Sequence, residues 1–267
     1  MSHDGYDDID WPEDEPRPRD VKIDEVKEVL LADLFARDPD GVFYQRQIEI
    51  LYEREFFHWI TGKALNELAA ERKIGAETRE YSYIKIRFYW ARQNRYWRRR
   101  ANEVAKIVLR YSDQEFTRGL GRHGEMMFDA ALPQGGFLPR AKDVKVWAGK
   151  VWIETGHDLD RIFTRDGVNY GVEIKNTLNY IDRFEMHTKL DMCDFFGVVP
   201  VFIMRMAPAS YLHEIRLRGG FFLIFEWQLY PFGYERFAAE VHKQLGLKVS
   251  CPRAIEEGTI QRFVNWH

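Results

Sequence analysis

The sequence predicts a mixed α/β protein in two parts, a helix-rich N-terminal part and a larger C-terminal part in which strands and helices alternate. Three observations carry this. Apolar residues recur at helical spacing through residues 21–73, then switch to strand-like alternation at 76–90. Beyond residue 144 the pattern becomes strand, hairpin, helix, strand, with a strongly apolar run, VVPVFIMRM, at 198–206. With 267 residues, 45% hydrophobic and 30% charged, the chain can bury one large core or two modest ones without disulfides or metals as staples.

The same composition excludes several classes. No run approaches 18 apolar residues, so no transmembrane helix and no membrane partner are expected. The first 20 residues lack the apolar stretch of a secretory signal. Two cysteines, Cys193 and Cys251, cannot build a disulfide framework or a four-cysteine zinc site, and a reducing cytoplasm is the expected compartment. The eight histidines do not cluster as zinc ligands. There is no P-loop motif. Gly119-Leu-Gly121-Arg-His-Gly124 matches a dinucleotide fingerprint by letter but follows no predicted strand, so it reads as a helix entry.

In order, residues 1–20 form an acidic tail expected to be disordered. Residues 21–37 read as an amphipathic helix, with Val26, Val29, Leu30, Leu34 and Phe35 near one face. Asp38-Pro-Asp-Gly41 is a turn, 42–44 a short strand, and 45–53 and 57–73 two helices closed by Gly75 as a stop signal. Residues 76–81 and 83–90 alternate like a hairpin. This order over residues 21–91 resembles a winged helix, a DNA-binding helix-turn-helix variant. The resemblance implies groove contacts from Thr61, Lys63, Asn66 and Arg72 and wing contacts from Arg79, Lys85 and Arg87. Residues 92–111 look like a long basic helix, within a connecting segment 92–114.

Charge distribution supports a polyanion partner. Residues 1–20 hold eight acids against two arginines, so a whole-chain net charge of −3 leaves +3 for the remainder. Residues 85–110 hold nine Lys or Arg against one Glu, interleaved with Phe88, Tyr89, Trp90, Tyr96 and Trp97. Such a block neutralises phosphates while aromatics pack or stack. Lys63, Asn66, Lys85, Arg87, Arg92, Arg95, Arg98 and Arg99 are the candidate nucleic-acid contacts, with double-stranded DNA the expected partner. The alternative is a solvated helix face whose aromatics lie in the core.

The second part, 115–267, starts with a helix at 118–131, followed by a strand at 144–153. Two apolar segments, 159–163 and 168–174, flank Thr164-Arg-Asp-Gly167, a hairpin signal. A helix at 178–196 and the strand at 198–206 complete a parallel crossover. A strand at 221–230 and a helix at 234–245 follow.

The chemistry lies in residues 156–176. Alternation along a strand puts Glu173 and Lys175 on one face, and the hairpin sets Asp160 on the neighbouring strand. Two carboxylates beside an ammonium suit Mg²⁺. Five Asp/Glu-x-Lys triplets occur, starting at Asp20, Glu25, Glu71, Asp143 and Glu173. Asp143-Val-Lys145 is the serious decoy. Only Glu173-Ile-Lys175 combines an apolar strand, an Asp across a turn, an earlier helical Glu and a following crossover helix.

Asp160 with Glu173-Ile174-Lys175, and Glu125 upstream, resembles the PD-(D/E)xK, or restriction-endonuclease-like, nuclease superfamily over residues 115–230. The family proline before the Asp is replaced by Leu159. The resemblance implies a mixed β-sheet flanked by helices and hydrolysis of a phosphodiester to a 5′ phosphate and a 3′ hydroxyl. It implies Mg²⁺ or Mn²⁺ held by Asp160, Glu173 and Glu125 with the Ile174 carbonyl, and Lys175 acting on the attacking water. Asp158, His157 and Lys189 are accessory candidates; Lys189 pairs with Glu185 in the alternative reading. Asn176 and Asn179 either contact DNA or cap the helix. Many nucleases of this fold are homodimers, and the aromatic stretch 221–232 is a candidate interface. The leading expectation is a metal-dependent DNA endonuclease; the alternatives are a non-catalytic DNA-binding protein and a subunit that needs a partner to cut.

Overall fold

A computed structural model describes residues 22–266; the acidic tail lies outside them. The chain divides into two compact units. One reaches to Phe116 and takes in Glu240–Leu247; the other holds Thr117–Ala239 and the chain from Lys248 onward.

In the first unit, α1 (Lys22–Val29) continues as a π-helical turn, Leu30–Phe35, where a single α-helix is predicted. Then come β1 (Val42–Tyr44), α2 (Gln45–Leu51), α3 (His58–Ala70), β2 (Ile74–Glu80), β3 (Lys85–Ala91) and α4 (Trp97–Tyr111). The strands form an antiparallel sheet in the order β1-β3-β2. Ile23, Val26, Leu30, Ile48, Ile60, Leu65, Leu68 and Tyr89 make its core. Gly75 is a strand residue, not a helix stop. A Cβ there would come within 2.3 Å of the Trp90 indole, so glycine is required by close packing. α3 is instead closed by Arg72, whose φ of 58° is left-handed. The segment 240–247, assigned from sequence to the second part, belongs here: the Gln47 side-chain amide donates to the Leu245 carbonyl at 3.0 Å.

The second unit is a mixed α/β fold. Its elements are α5 (Gln114–Ala131), β4 (Leu138–Val144), a small hairpin of β5 (Val146–Trp147) and β6 (Lys150–Val151), β7 (Leu159–Arg165) and β8 (Val168–Lys175). They continue with α6 (Arg183–Phe196), β9 (Val199–Met204), α7 (Ala209–Leu217), β10 (Phe221–Ile224), β11 (Gln228–Leu229), the start of α8 (Glu235–Leu245, which from Glu240 on belongs to the first unit), β12 (Val249–Ser250) and α9 (Glu257–Trp266). Five strands form one sheet, β10-β9-β8-β7-β4. β7 and β8 are an antiparallel hairpin whose Asp166 and Gly167 both take positive φ, as an Asp-Gly turn requires. β8 and β9 are parallel, joined by α6 as the crossover.

The strand expected at 144–153 is a correction. Val144 ends the edge strand β4, and Ala148 and Gly149, both left-handed, turn the chain into the β5–β6 hairpin. β4 itself escapes pattern reading because it is polar and exposed, with Pro139 at a bulge, features tolerated at a sheet edge. The Gly119–Gly124 run lies inside α5 rather than at its entry; Gly124 is needed because a Cβ would meet the Asn176 side chain at 2.5 Å. No helix among the described residues is long and apolar enough to cross a membrane.

Candidate active site and nucleic-acid interface

Residue alternation sorts the two faces of the second unit's sheet. On β8, Gly171, Glu173 and Lys175 face α6, and Val172 and Ile174 face α5. Packing on β8 agrees: Met127 and Phe128 of α5 cluster with Val172 and Ile174, while Cys193 of α6 lies against Gly171. Gly171 leaves room for Cys193, whose Sγ would lie 2.7 Å from a Cβ.

Arg161 pairs with Val172 across the β7–β8 ladder, so one step along sets Asp160 opposite Glu173. The Asp160 carboxylate accepts from the Ile174 N–H at 2.7 Å. Glu173 is 1% exposed. One of its oxygens lies 2.8 Å from the Lys175 ammonium and the other 2.7 Å from that of Lys189. Lys175 also pairs with Glu185 at 2.7 Å, and Lys189 donates to the Asp158 carbonyl. The result is a buried acid held by two lysines from different elements, with a second acid facing it.

Burial, then the charge of Glu173, pushes the Asp160 carboxyl up to about 7; the Ile174 N–H and the two lysines only partly oppose this. Burial pulls the Lys175 ammonium down, but Glu173 and Glu185 outweigh it and hold its pKa above the ordinary lysine range. Lys175 is thus a proton-retaining cation in the protein alone.

Asp160, Glu173, Lys175 and Lys189 are brought together. Glu125 is not among them. It accepts from the Arg161 guanidinium at 3.0 Å, which also binds Asp129, on the α5 side of the sheet. Arg161, placed on the other face of the sheet by alternation, holds Glu125 there. Lys189 does not pair with Glu185 as in the alternative reading; both side chains turn inward, one to Glu173 and one to Lys175. Glu185, seen from sequence only as that alternative partner, therefore positions Lys175. The signal was its i,i+4 spacing to Lys189. Asp158 contributes its carbonyl, and His157 rests on Thr155 Oγ1 at 3.1 Å. Asn176 is buried and clamps the fold through the Leu120 and Leu229 backbones, which removes it as a DNA contact. The Asn179 carbonyl accepts from Thr177. Asp143, of the decoy triplet, sits on the edge strand at positive φ.

In the first unit, Lys63, Lys85, Arg92, Arg95, Arg98 and Arg99 are exposed. Asn66 is exposed too, but its carbonyl accepts from the Tyr89 hydroxyl. Arg87 lies along Tyr89, Lys85 pairs with Glu80, and Arg99 with Glu103. Thr61 is fully buried, which overturns it as a groove contact. Arg79 is held by Glu77 and Asn102 and lies over Trp97. The interleaved aromatics divide: Phe88 and Tyr89 are core, Trp97 stacks on Trp90 at 3.9 Å, and Tyr96 is 77% exposed. In the second unit, Phe221 and Phe225 pack on one side of the sheet and Phe222 on the other, Tyr230 is buried, and Trp227 and Phe232 are exposed.

No family model, curated protein or solved structure matches this chain.

Proposed function

We propose that this chain is a Mg²⁺- or Mn²⁺-dependent DNA endonuclease of the PD-(D/E)xK type, with a winged-helix unit that holds the duplex. The observation that carries the reading is Glu173, a carboxylate sealed from water at 1% exposure, set opposite Asp160 and 2.8 Å from Lys175. Burying so much charge is costly even when it is paired, and such clusters of perturbed groups concentrate at functional sites. The mixed sheet with its parallel crossover, and the helix, strand, helix, helix, hairpin order of the first unit, are consistent with the two parts.

Two hard oxygen donors fit Mg²⁺, which is commonly held by one or two carboxylates with water and substrate phosphate completing the shell. Asp160 and Glu173 would hold it, and the ion would supply Lewis-acid polarisation of a phosphoryl oxygen and a more acidic water. Lys175, 23% exposed in its side chain, orients the attacking water and offsets charge on the phosphate in the transition state. Glu185 aims Lys175, and Lys189 keeps Glu173 in place. Lys175→Ala is expected to slow metal-dependent cutting of plasmid, linear duplex or branched DNA by at least about 100-fold.

A second reading, a DNA-binding protein or partner-dependent subunit, is favoured by one observation: Glu125 is bound to Arg161, so of the three carboxylates expected to hold the ion only Asp160 and Glu173 come together. Wild type that binds DNA without cutting it at any metal concentration decides for that reading.

The exposed arginines supply the DNA contact. Replacing Arg95 and Arg98 together by alanine is expected to weaken binding to all sequences alike. It should also lower the slope of log affinity against log salt by about 2. An unchanged slope in a binding titration would remove them from the interface.

A further inference from the structure

We infer that Phe184, with His157 beside it, is a stacking platform for an unpaired nucleobase next to the scissile phosphate, so that this site takes a strand with single-stranded character there. The inference rests on the nuclease reading of Asp160, Glu173 and Lys175.

Phe184 lies in the first turn of α6 and is 63% exposed, while Met186, Leu190 and Cys193 of the same helix are buried. It is therefore not part of the packing face. The ring of His157 lies 6.1 Å away, edge toward it. Both rings are tethered to the buried acid. Glu185, the residue after Phe184, bonds Lys175, which pairs with Glu173. Asp158, the residue after His157, gives its carbonyl to Lys189, which holds the other Glu173 oxygen. Each ring thus stands next in sequence to a residue that holds a lysine of the Glu173 pair, and Arg183, exposed beside Phe184, adds a cation suited to a neighbouring phosphate.

The chemistry selects the ligand. Within a duplex each base is already stacked on its neighbours and offers only its edges. An unpaired base offers a π-face, which every base has, so stacking is tolerant of sequence. Single strands, flaps and nucleotides unpaired at a branch share this feature; continuous duplex lacks it.

The test is binding in EDTA, which requires no cleavage. A short single strand carrying 2-aminopurine, and the same strand paired as duplex, are titrated with wild type, Phe184→Ala, Phe184→Leu and Phe184→Tyr. Wild type and Phe184→Tyr are expected to quench the fluorophore. Phe184→Ala and Phe184→Leu should lose about tenfold in affinity for the single strand and less than about twofold for duplex. Melting curves establish that each variant is folded; Phe184→Leu keeps the apolar volume without the ring.

Unchanged single-strand affinity in the two ring-less variants overturns the platform, as does an equal loss on duplex. Recovery by Phe184→Leu overturns it as well, in favour of a plain apolar contact. If wild type cuts DNA and Phe184→Ala cuts single strands equally well, the platform fails and the nuclease stands. If ring-dependent binding persists and wild type never cuts, the nuclease reading fails and the platform is reduced to a binding site.

Discussion

Glu173→Gln is expected to abolish cleavage and, at the same time, to melt well below wild type. The second effect follows from its partners. Glu173 is the acid on which both Lys175 and Lys189 converge, at 2.8 and 2.7 Å. Lys175 keeps Glu185 when Glu173 is neutralised. Among the described residues, Lys189, 4% exposed in its side chain, keeps the Asp158 carbonyl as its hydrogen-bond acceptor, with Asp160 a more distant charge. Removing one member of a buried pair leaves the other charge uncompensated, at a cost of about 3 kcal/mol. That corresponds to a fall of roughly 6–10 °C in Tm. Glu173→Gln with Lys189→Met should be less destabilised than the sum of the single changes, since the second removes the stranded charge. A double-mutant cycle by urea unfolding measures this, and strict additivity would mean that the ammonium does not depend on the carboxylate. Cleavage should stay absent in the double variant, which separates loss of chemistry from loss of fold.

How much of this was legible in the sequence follows from where each signal comes from. Asp160 and Glu173 could be placed on neighbouring strands from residues alone, because an Asp-Gly turn signals a hairpin; their facing register is set by the structure. The helix, strand, helix, helix, hairpin order was also readable, since apolar spacing changes period at each boundary. The partner of Glu125 is not legible in the sequence, because Arg161 is brought near it only by the fold. Thr61 looked like a polar helix residue, yet its small side chain fits an apolar interior. Cys193 and Gly171 are a third kind of case: the glycine makes room for the sulfur across the α6–β8 interface, which no local pattern announces. β4 and α7 carry little apolar periodicity, so pairing and packing rather than pattern define them. Phe184 went unnoticed because an aromatic in a helix reads as core until its exposure is known.

Asp160→Asn is expected to do the opposite of Glu173→Gln to stability while equally removing cleavage. Asp160 is an acid whose pKa in the folded protein is raised, from 3.8 to about 7, first by burial and then by Glu173. Below about pH 4 it is protonated whether the chain is folded or not. Between about 4 and 7 the unfolded chain ionises and the folded one resists, so the folded state loses stability as pH rises. Above about 7 both are ionised and the full cost is present. Asparagine keeps an oxygen for the Ile174 N–H and carries no charge, so it avoids that cost. In EDTA at pH 8, Asp160→Asn should be more stable than wild type by ~2 kcal/mol, and the gap should close toward pH 4. Mg²⁺ should then raise the Tm of wild type, by neutralising the facing carboxylates, and leave Asp160→Asn unmoved. A pH-independent gap in thermal unfolding would show that Asp160 is not strained by its neighbour. An equal Mg²⁺ shift in both proteins would put the ion elsewhere. The two carboxylates differ because one is already neutralised by lysines and the other faces a charge of its own sign. That asymmetry makes Asp160 the group that a bound cation relieves most.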